Sequence, residues 1–229
     1  MDLPRIFTIR ENSHRIHNPF TAGKFADLGQ ALHLTSGARV LDLASGSGEM
    51  LCTWARDHGV TGTGVDISTV FTEQARARAT ELGVTDRVTF VHSDASGFVA
   101  DEPVGLAACV GATWIGGGVA GSIELLGKSL SPGGLMLIGE PFWRGGLPDQ
   151  ETAQGCGASS PDDFKVLPEL VEQFDDLGCD VVEMVLADQD SWDRYQAAQW
   201  LNLRRWLDEN PDDELAGEVR AELTTDPVR

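Results

Sequence analysis

The sequence predicts an α/β protein: a mostly parallel sheet with helices on both faces. Short apolar, β-branched runs alternate with longer stretches of helical spacing, the rhythm of repeated strand–helix–strand units. Glycine- and serine-rich turns fall where each strand would hand over to a helix. Size agrees, because 229 residues, 41% of them apolar, suffice for one domain with a sizeable core.

The elements follow in order. Asn18-Pro19 reads as an N-cap with proline at the first helical position, and Phe25, Leu28 and Leu32 then recur at helical spacing. Residues 38–43 form a first strand, stopped by a glycine turn at 44–48; a helix over 49–58 ends at Gly59. The second strand is near 63–67, and Ser68 caps an Ala/Arg-rich helix ending at Gly83. Residues 87–92 make a third strand and 106–110 a fourth, while Ser131-Pro132-Gly133-Gly134 turns into a fifth at 135–139. Residues 145–160 read as a mobile surface segment, followed by a helix at 167–177 and a sixth strand at 180–186. The tail is helical, with Trp192, Tyr195, Gln199, Leu203 and Trp206 near one face. The expected divisions are an N-terminal lid and helix (1–37), a cofactor-binding core (38–188) and an acidic helical tail (189–229).

Charge narrows the function. Lys plus Arg number 17 against 36 Asp plus Glu, a net charge of −19, which argues against nucleic acid or an anionic lipid surface as partner. Up to Pro148 there are 11 basic and 15 acidic residues, net −4; from Asp149 onward there are 6 and 21, net −15. The acidic third is a solvated face, or a surface for a cationic substrate or basic partner. No apolar run approaches a membrane span, and no apolar signal core opens the chain. Cys52, Cys109, Cys156 and Cys179 show no metal spacing, so reduced, mostly buried thiols in a cytoplasmic protein are expected, with no metal. A nucleophile elbow, a Walker loop and an H-E-x-x-H helix are all absent from the sequence.

The chemistry centres on V-L-D-L-A-S-G-S-G-E, residues 40–49. Gly46 and Gly48 let backbone N–H groups approach a ligand with no Cβ in the way. A dinucleotide fingerprint would need its third glycine where Leu51 stands, so it fails. Asp42 and Glu49 instead suit a cofactor carrying a cationic group. Asp66 ends the second strand 18 residues after Gly48, placed to accept from a ribose diol. Asp94 follows the third strand 28 residues later, a candidate for an adenine amino group.

These residues resemble the class I S-adenosylmethionine (SAM) dependent methyltransferases, from about His14 to Asp188. The small-molecule enzymes with S-H-R-I-H-N-P-F (13–20), W-I-G-G-G (114–118) and G-E-P-F-W (139–143) segments look most similar. The resemblance implies a Rossmann-like sheet and SAM as cofactor. It assigns the methionine part to Asp42, Ala44, Gly46 and Gly48, the ribose to Asp66 with Ile67, and adenine to Asp94 with Ala95. Gly111, Thr113 and Trp114 at the fourth strand end would lie beside the sulfonium and the substrate. Ala44 stands where many relatives have glycine. The N-terminal segment would fold over the cofactor as a lid, making His14 or His17 a candidate base. Glu140 would bind a substrate amine or act as base, and Phe142, Trp143 and Tyr195 would help wall the pocket.

The family sheet closes with a seventh strand hairpinned to the sixth, and no strand-like run follows residue 186. Either the chain is truncated, the tail helices cover the exposed edge, or a small partner protein supplies the strand; a homo-oligomer is the other assembly expected. The leading expectation is methyl transfer to a small metabolite or natural product in biosynthesis. Two alternatives keep the fold: a subunit of a heteromer catalysing SAM-independent ring closure such as aziridine formation, or a non-catalytic subunit.

Overall fold

The computed structural model describes residues 2–225. Five strands, β1 (Arg39–Leu43), β2 (Thr61–Asp66), β3 (Val88–His92), β4 (Val104–Val110) and β5 (Leu130–Gly139), form one sheet in the order β3-β2-β1-β4-β5. Every pairing is parallel. Helices α1 (Arg5–Arg10) and α2 (Ala22–Ala31) precede the sheet, and α3 (Glu49–His58), α4 (Thr69–Glu81) and α5 (Val119–Gly127) connect its strands. Then come α6 (Gln150–Gly155), α7 (Leu167–Asp176), α8 (Gln189–Glu209) and α9 (Ala216–Thr225).

Strand alternation sorts the core into two layers. Val40, Leu106 and Ala108 point to one face and pack with Phe25, Leu28, Leu51, Trp54 and Ala75 of α2, α3 and α4. Leu41, Leu43, Ala107 and Cys109 point to the other and pack with Leu125 and Leu126 of α5. The Trp54 indole donates to the Phe25 carbonyl at 2.9 Å, which ties α3 to α2 and satisfies its buried N–H.

The chain separates into two compact units. The first is Met1–Glu140 with Val185–Gln199 and holds the sheet; the second is Pro141–Met184 with Trp200–Arg229. In the second, Trp143 packs edge-on against Phe164 and donates to the Pro161 carbonyl at 2.8 Å. Leu170, Leu203, Leu207, Val219 and Leu223 are among its buried apolar residues.

Several expectations are corrected. The cap of α2 is Thr21, which accepts from the Lys24 N–H, because Asn18 instead turns its amide to the Val110 carbonyl. The turn at 131–134 lies inside β5 as an irregularity, where pairing jumps from Val104–Leu130 to Leu106–Leu135. Residues 145–160 contain α6, capped by the Asp149 carboxylate. The sixth strand does not form. Residues 179–188 are assigned neither helix nor strand, and Val182 is 74% exposed. Its alternation of apolar residues suits a strand, but a strand needs a neighbour's backbone to pair with. Among the described residues no strand follows β5, which pairs with β4 alone. The thiols divide evenly rather than being mostly buried: Cys52 and Cys109 are buried, Cys156 is exposed and Cys179 intermediate.

Ala44 is a strained point. It opens the glycine turn with φ 59°, a left-handed conformation that costs a residue with a Cβ about 1–2 kcal/mol. Glycine would relieve the strain but adds unfolded-state freedom, so Ala44→Gly is expected to stabilise by roughly 0.5–1 kcal/mol. A urea midpoint that falls would contradict this.

Candidate active site

Parallel strands put all their carboxyl ends on one edge, and the expected cofactor residues gather there. The turn after β1 is shaped by close packing. Gly48 caps α3 at φ 71°, and a Cβ on it would lie 2.6 Å from the Phe90 ring. Only glycine meets both demands. Gly111, after β4, has φ 74°, and the Asn18 amide fills the space a Cβ would need.

Asp42 is the most informative residue. It is 3% exposed, and no group among the described residues hydrogen-bonds its carboxylate. Burial, with the nearby Asp66 charge, pushes its pKa up to about 8. A buried carboxylate without a partner suits a ligand that brings a cation or a hydrogen-bond donor. Asp66 is buried too, and each of its oxygens accepts one backbone N–H, from Gly46 and from Ser68, both at 2.8 Å. Burial raises its pKa against those two bonds. Further lone pairs remain for a diol. The Ile67 carbonyl meets His92 Nε2 at 2.8 Å. Asp94 caps the 3-10 turn Ala95–Gly97 through the Ser96 N–H, with Ala95 buried beneath.

Glu49 does not serve as expected. Its carboxylate takes two bonds from the Arg78 guanidinium, at 2.7 and 2.9 Å, so it is neutralised inside the fold rather than offered to a cation.

The N-terminal segment lies against the same edge. His17 Nε2 and Ser47 Oγ share a 2.8 Å hydrogen bond, and Ser47 donates to Gln74 at 2.6 Å. The His17 ring also stands edge-on to Phe71, 4.1 Å between centroids, and beside Gly46. Burial lowers its pKa to about 4, so the ring is neutral at physiological pH.

At the ends of β4 and β5, Thr113 donates to Glu140 at 2.6 Å. Burial raises the Glu140 pKa, opposed by that bond. Trp114 next to it is 70% exposed. Phe142 and Trp143 belong to the second unit. That unit also holds a hollow of about 550 Å3, lined by Val171, Glu172, Asp175, Cys179 and Val181 among others, which contains none of the expected site residues.

His14 and Tyr195 meet at a residue that the motif reading passes over, Glu11. Its carboxylate, 1% exposed, accepts from the Tyr195 hydroxyl at 3.0 Å and the Gln199 amide at 2.6 Å, with His14 Nδ1 3.2 Å away. The i, i+3 spacing of Glu11 and His14 was visible in the sequence; their meeting with a helix some 184 residues on was not.

No group of three or more metal-ligating side chains occurs among the described residues, and no described helix is long and apolar enough to cross a membrane. Fold and site together define an α/β class with a glycine turn and buried carboxylates at the carboxyl edge of a parallel sheet. The comparisons agree. A family described as "Methyltransferase domain" matches residues 40–134. The uncharacterized protein YjhP of Escherichia coli is 66% identical over 100% of this chain and 92% of its own. A SAM-dependent methyltransferase from Geobacter sulfurreducens, solved with S-adenosyl-L-homocysteine (SAH), superposes with a TM-score of 0.97 at 67% identity, covering 99% of this chain and 91% of that one. One from Thiobacillus denitrificans, also with SAH, gives 0.96 at 65%, covering 100% and 92%. The chain belongs to the SAM-dependent methyltransferase family.

Proposed function

We propose that this chain binds SAM at the carboxyl edge of its sheet and transfers the methyl group to a small molecule. The observation that carries the reading is Asp42, a buried carboxylate without a partner beside a glycine turn, in a chain 67% identical to a methyltransferase seen with SAH. Bound SAM supplies a methyl group on sulfur, ready for in-line displacement by a nucleophile. The chain's own work is to position and to exclude water. Asp42, Ala44, Gly46 and Gly48 would hold the methionine end, Asp66 and Ile67 the ribose, and Asp94 with Ala95 the adenine. Gly111 leaves backbone room near the reacting centre. Glu140, fixed by Thr113, would hold the acceptor, with Trp114 offering it apolar surface.

The net charge of −19 favours a metabolite over a nucleic acid as acceptor, since phosphate backbones are repelled. A place in cytoplasmic biosynthesis fits free thiols and a small substrate. The test is incubation of the full chain with SAM and a small-molecule cell extract. SAH should accumulate with a methylated product, above a protein-free control. Failure to exceed that control in extracts from several growth conditions would count against the reading.

A further inference from the structure

We propose that Glu140, oriented by Thr113, selects an amine as the methyl acceptor. The inference rests on the methyltransferase reading and adds to it an acceptor class and the residue that sets it.

The two buried glutamates, Glu11 and Glu49, are both provided for. Tyr195 and Gln199 hold the first, and the Arg78 guanidinium neutralises the second. Glu140 differs. Its Oε2 accepts from the Thr113 hydroxyl at 2.6 Å, but no described residue donates to Oε1 or sets a positive charge near it. The side chain is half-buried, so Oε1 is reachable from outside the fold. Thr113 is itself fixed, its carbonyl accepting from the Ser122 hydroxyl and the Gly118 N–H, both at 3.0 Å. The single Thr113 hydroxyl proton locks one carboxylate oxygen and leaves the other for a ligand.

The position suits an acceptor site. Glu140 directly follows β5, whose Gly139 pairs with Val110 and accepts from the Gly111 N–H at 2.9 Å. It therefore stands at the carboxyl edge beside Gly111, with only β4 between β5 and the strand that carries Asp42. A carboxylate short of donors there suits a ligand that brings N–H groups and positive charge. It repels an oxyanion or a thiolate, and a hydroxyl would have to ionise beside a charge of its own sign. Trp114, next in the turn after Thr113, leaves its indole exposed, and indole is the best aromatic partner for an ammonium group.

In the transfer, the acceptor reacts as the free amine, its ammonium proton having passed to water, and donates one N–H to Glu140 Oε1. Its lone pair forms the N–CH3 bond as the S–CH3 bond breaks, and the electron pair of the latter returns to sulfur. The positive charge that appears on nitrogen faces the carboxylate, so Glu140 stabilises the transition state more than the ground state.

The first test identifies the methylated atom. The full chain receives SAM labelled with 13C in its methyl group, together with a small-molecule cell extract. The carbon shift of the transferred methyl separates N–CH3 from O–CH3, S–CH3 and C–CH3. An N–CH3 product is expected, and label mainly on oxygen, sulfur or carbon overturns the proposal. No labelled product from a chain that binds SAH would instead overturn the methyltransferase reading. The second test needs no turnover. The SAH-loaded chain is titrated by calorimetry with phenethylamine and with its uncharged counterpart, phenethyl alcohol. The amine should bind at least about tenfold more tightly, and Glu140→Gln should abolish that preference while SAH affinity stays within about threefold. Thr113→Val should shrink the preference, and Thr113→Ser should restore it. No preference for the amine in wild type, or an unchanged preference in Glu140→Gln, overturns the proposal.

Discussion

Replacing Asp42 with Asn is expected to stabilise the ligand-free protein and weaken its grip on SAM at the same time. The native carboxyl has a pKa of about 8, because burial and Asp66 oppose its charge, whereas an unfolded Asp titrates near its ordinary value of 3.8. Between those two values the native state carries a proton that the unfolded state has given up. Folding stability from this group is therefore full at low pH, falls as pH rises from about 4, and levels off above about 8. Asparagine keeps the shape and removes that dependence. At pH 8 the variant should be more stable by about 2 kcal/mol or more, a Tm rise of roughly 4–8 °C, with a smaller gain at pH 5. The same change removes the negative charge offered to the ligand, and SAM affinity should drop by about 10–100-fold. Thermal unfolding across pH, with and without SAH, reads both effects. A variant that is less stable at every pH, or that binds as tightly as wild type, would show that Asp42 plays neither part.

The second large effect is on the framework of the turn. Arg78 holds Glu49 through two hydrogen bonds, and both side chains are mostly buried, at 13% and 9% exposed. Glu49 opens α3 directly after Gly48, where its charge also complements the helix N-terminus. Arg78→Met leaves that carboxylate buried without its partner, at a cost of about 3 kcal/mol, and loosens the turn that follows β1. The double variant Glu49→Gln with Arg78→Met should recover more than half of the loss, because no uncompensated charge remains. Chemical denaturation of both variants checks this. An Arg78→Met chain as stable as wild type would mean that the pair is merely tolerated.

Much of the fold was legible because its signals are local. Ser68 caps α4, Gly59 ends α3 and Gly48 begins it, each set by chemistry within a few residues. The short apolar runs in 38–43 and 106–110 were enough to place β1 and β4 and to imply a sheet covered on both faces. What failed depends on partners distant in sequence. Asn18 looks like a cap until the Val110 carbonyl, 92 residues on, claims its amide. Residues 180–186 have strand composition, yet composition does not supply a neighbouring backbone. Among the candidate residues, the gathering of Asp42, Gly46, Gly48 and Asp66 at one edge could be read from spacing, since strand–turn–helix geometry is short-range. Glu49 was misread for the opposite reason. Its charge was evident and its partner Arg78 was not, so a structural ion pair passed for a ligand contact. Glu11 escaped notice because nothing near it in sequence marks it as buried.

The central claim is that the carboxyl edge of this sheet holds SAM. Titrating the full, metal-free chain with SAH in a calorimeter tests it most directly. The account predicts one site per chain with micromolar or tighter affinity, weakened by Asp42→Asn. No saturable heat, together with no rise in Tm at millimolar SAH, would contradict it.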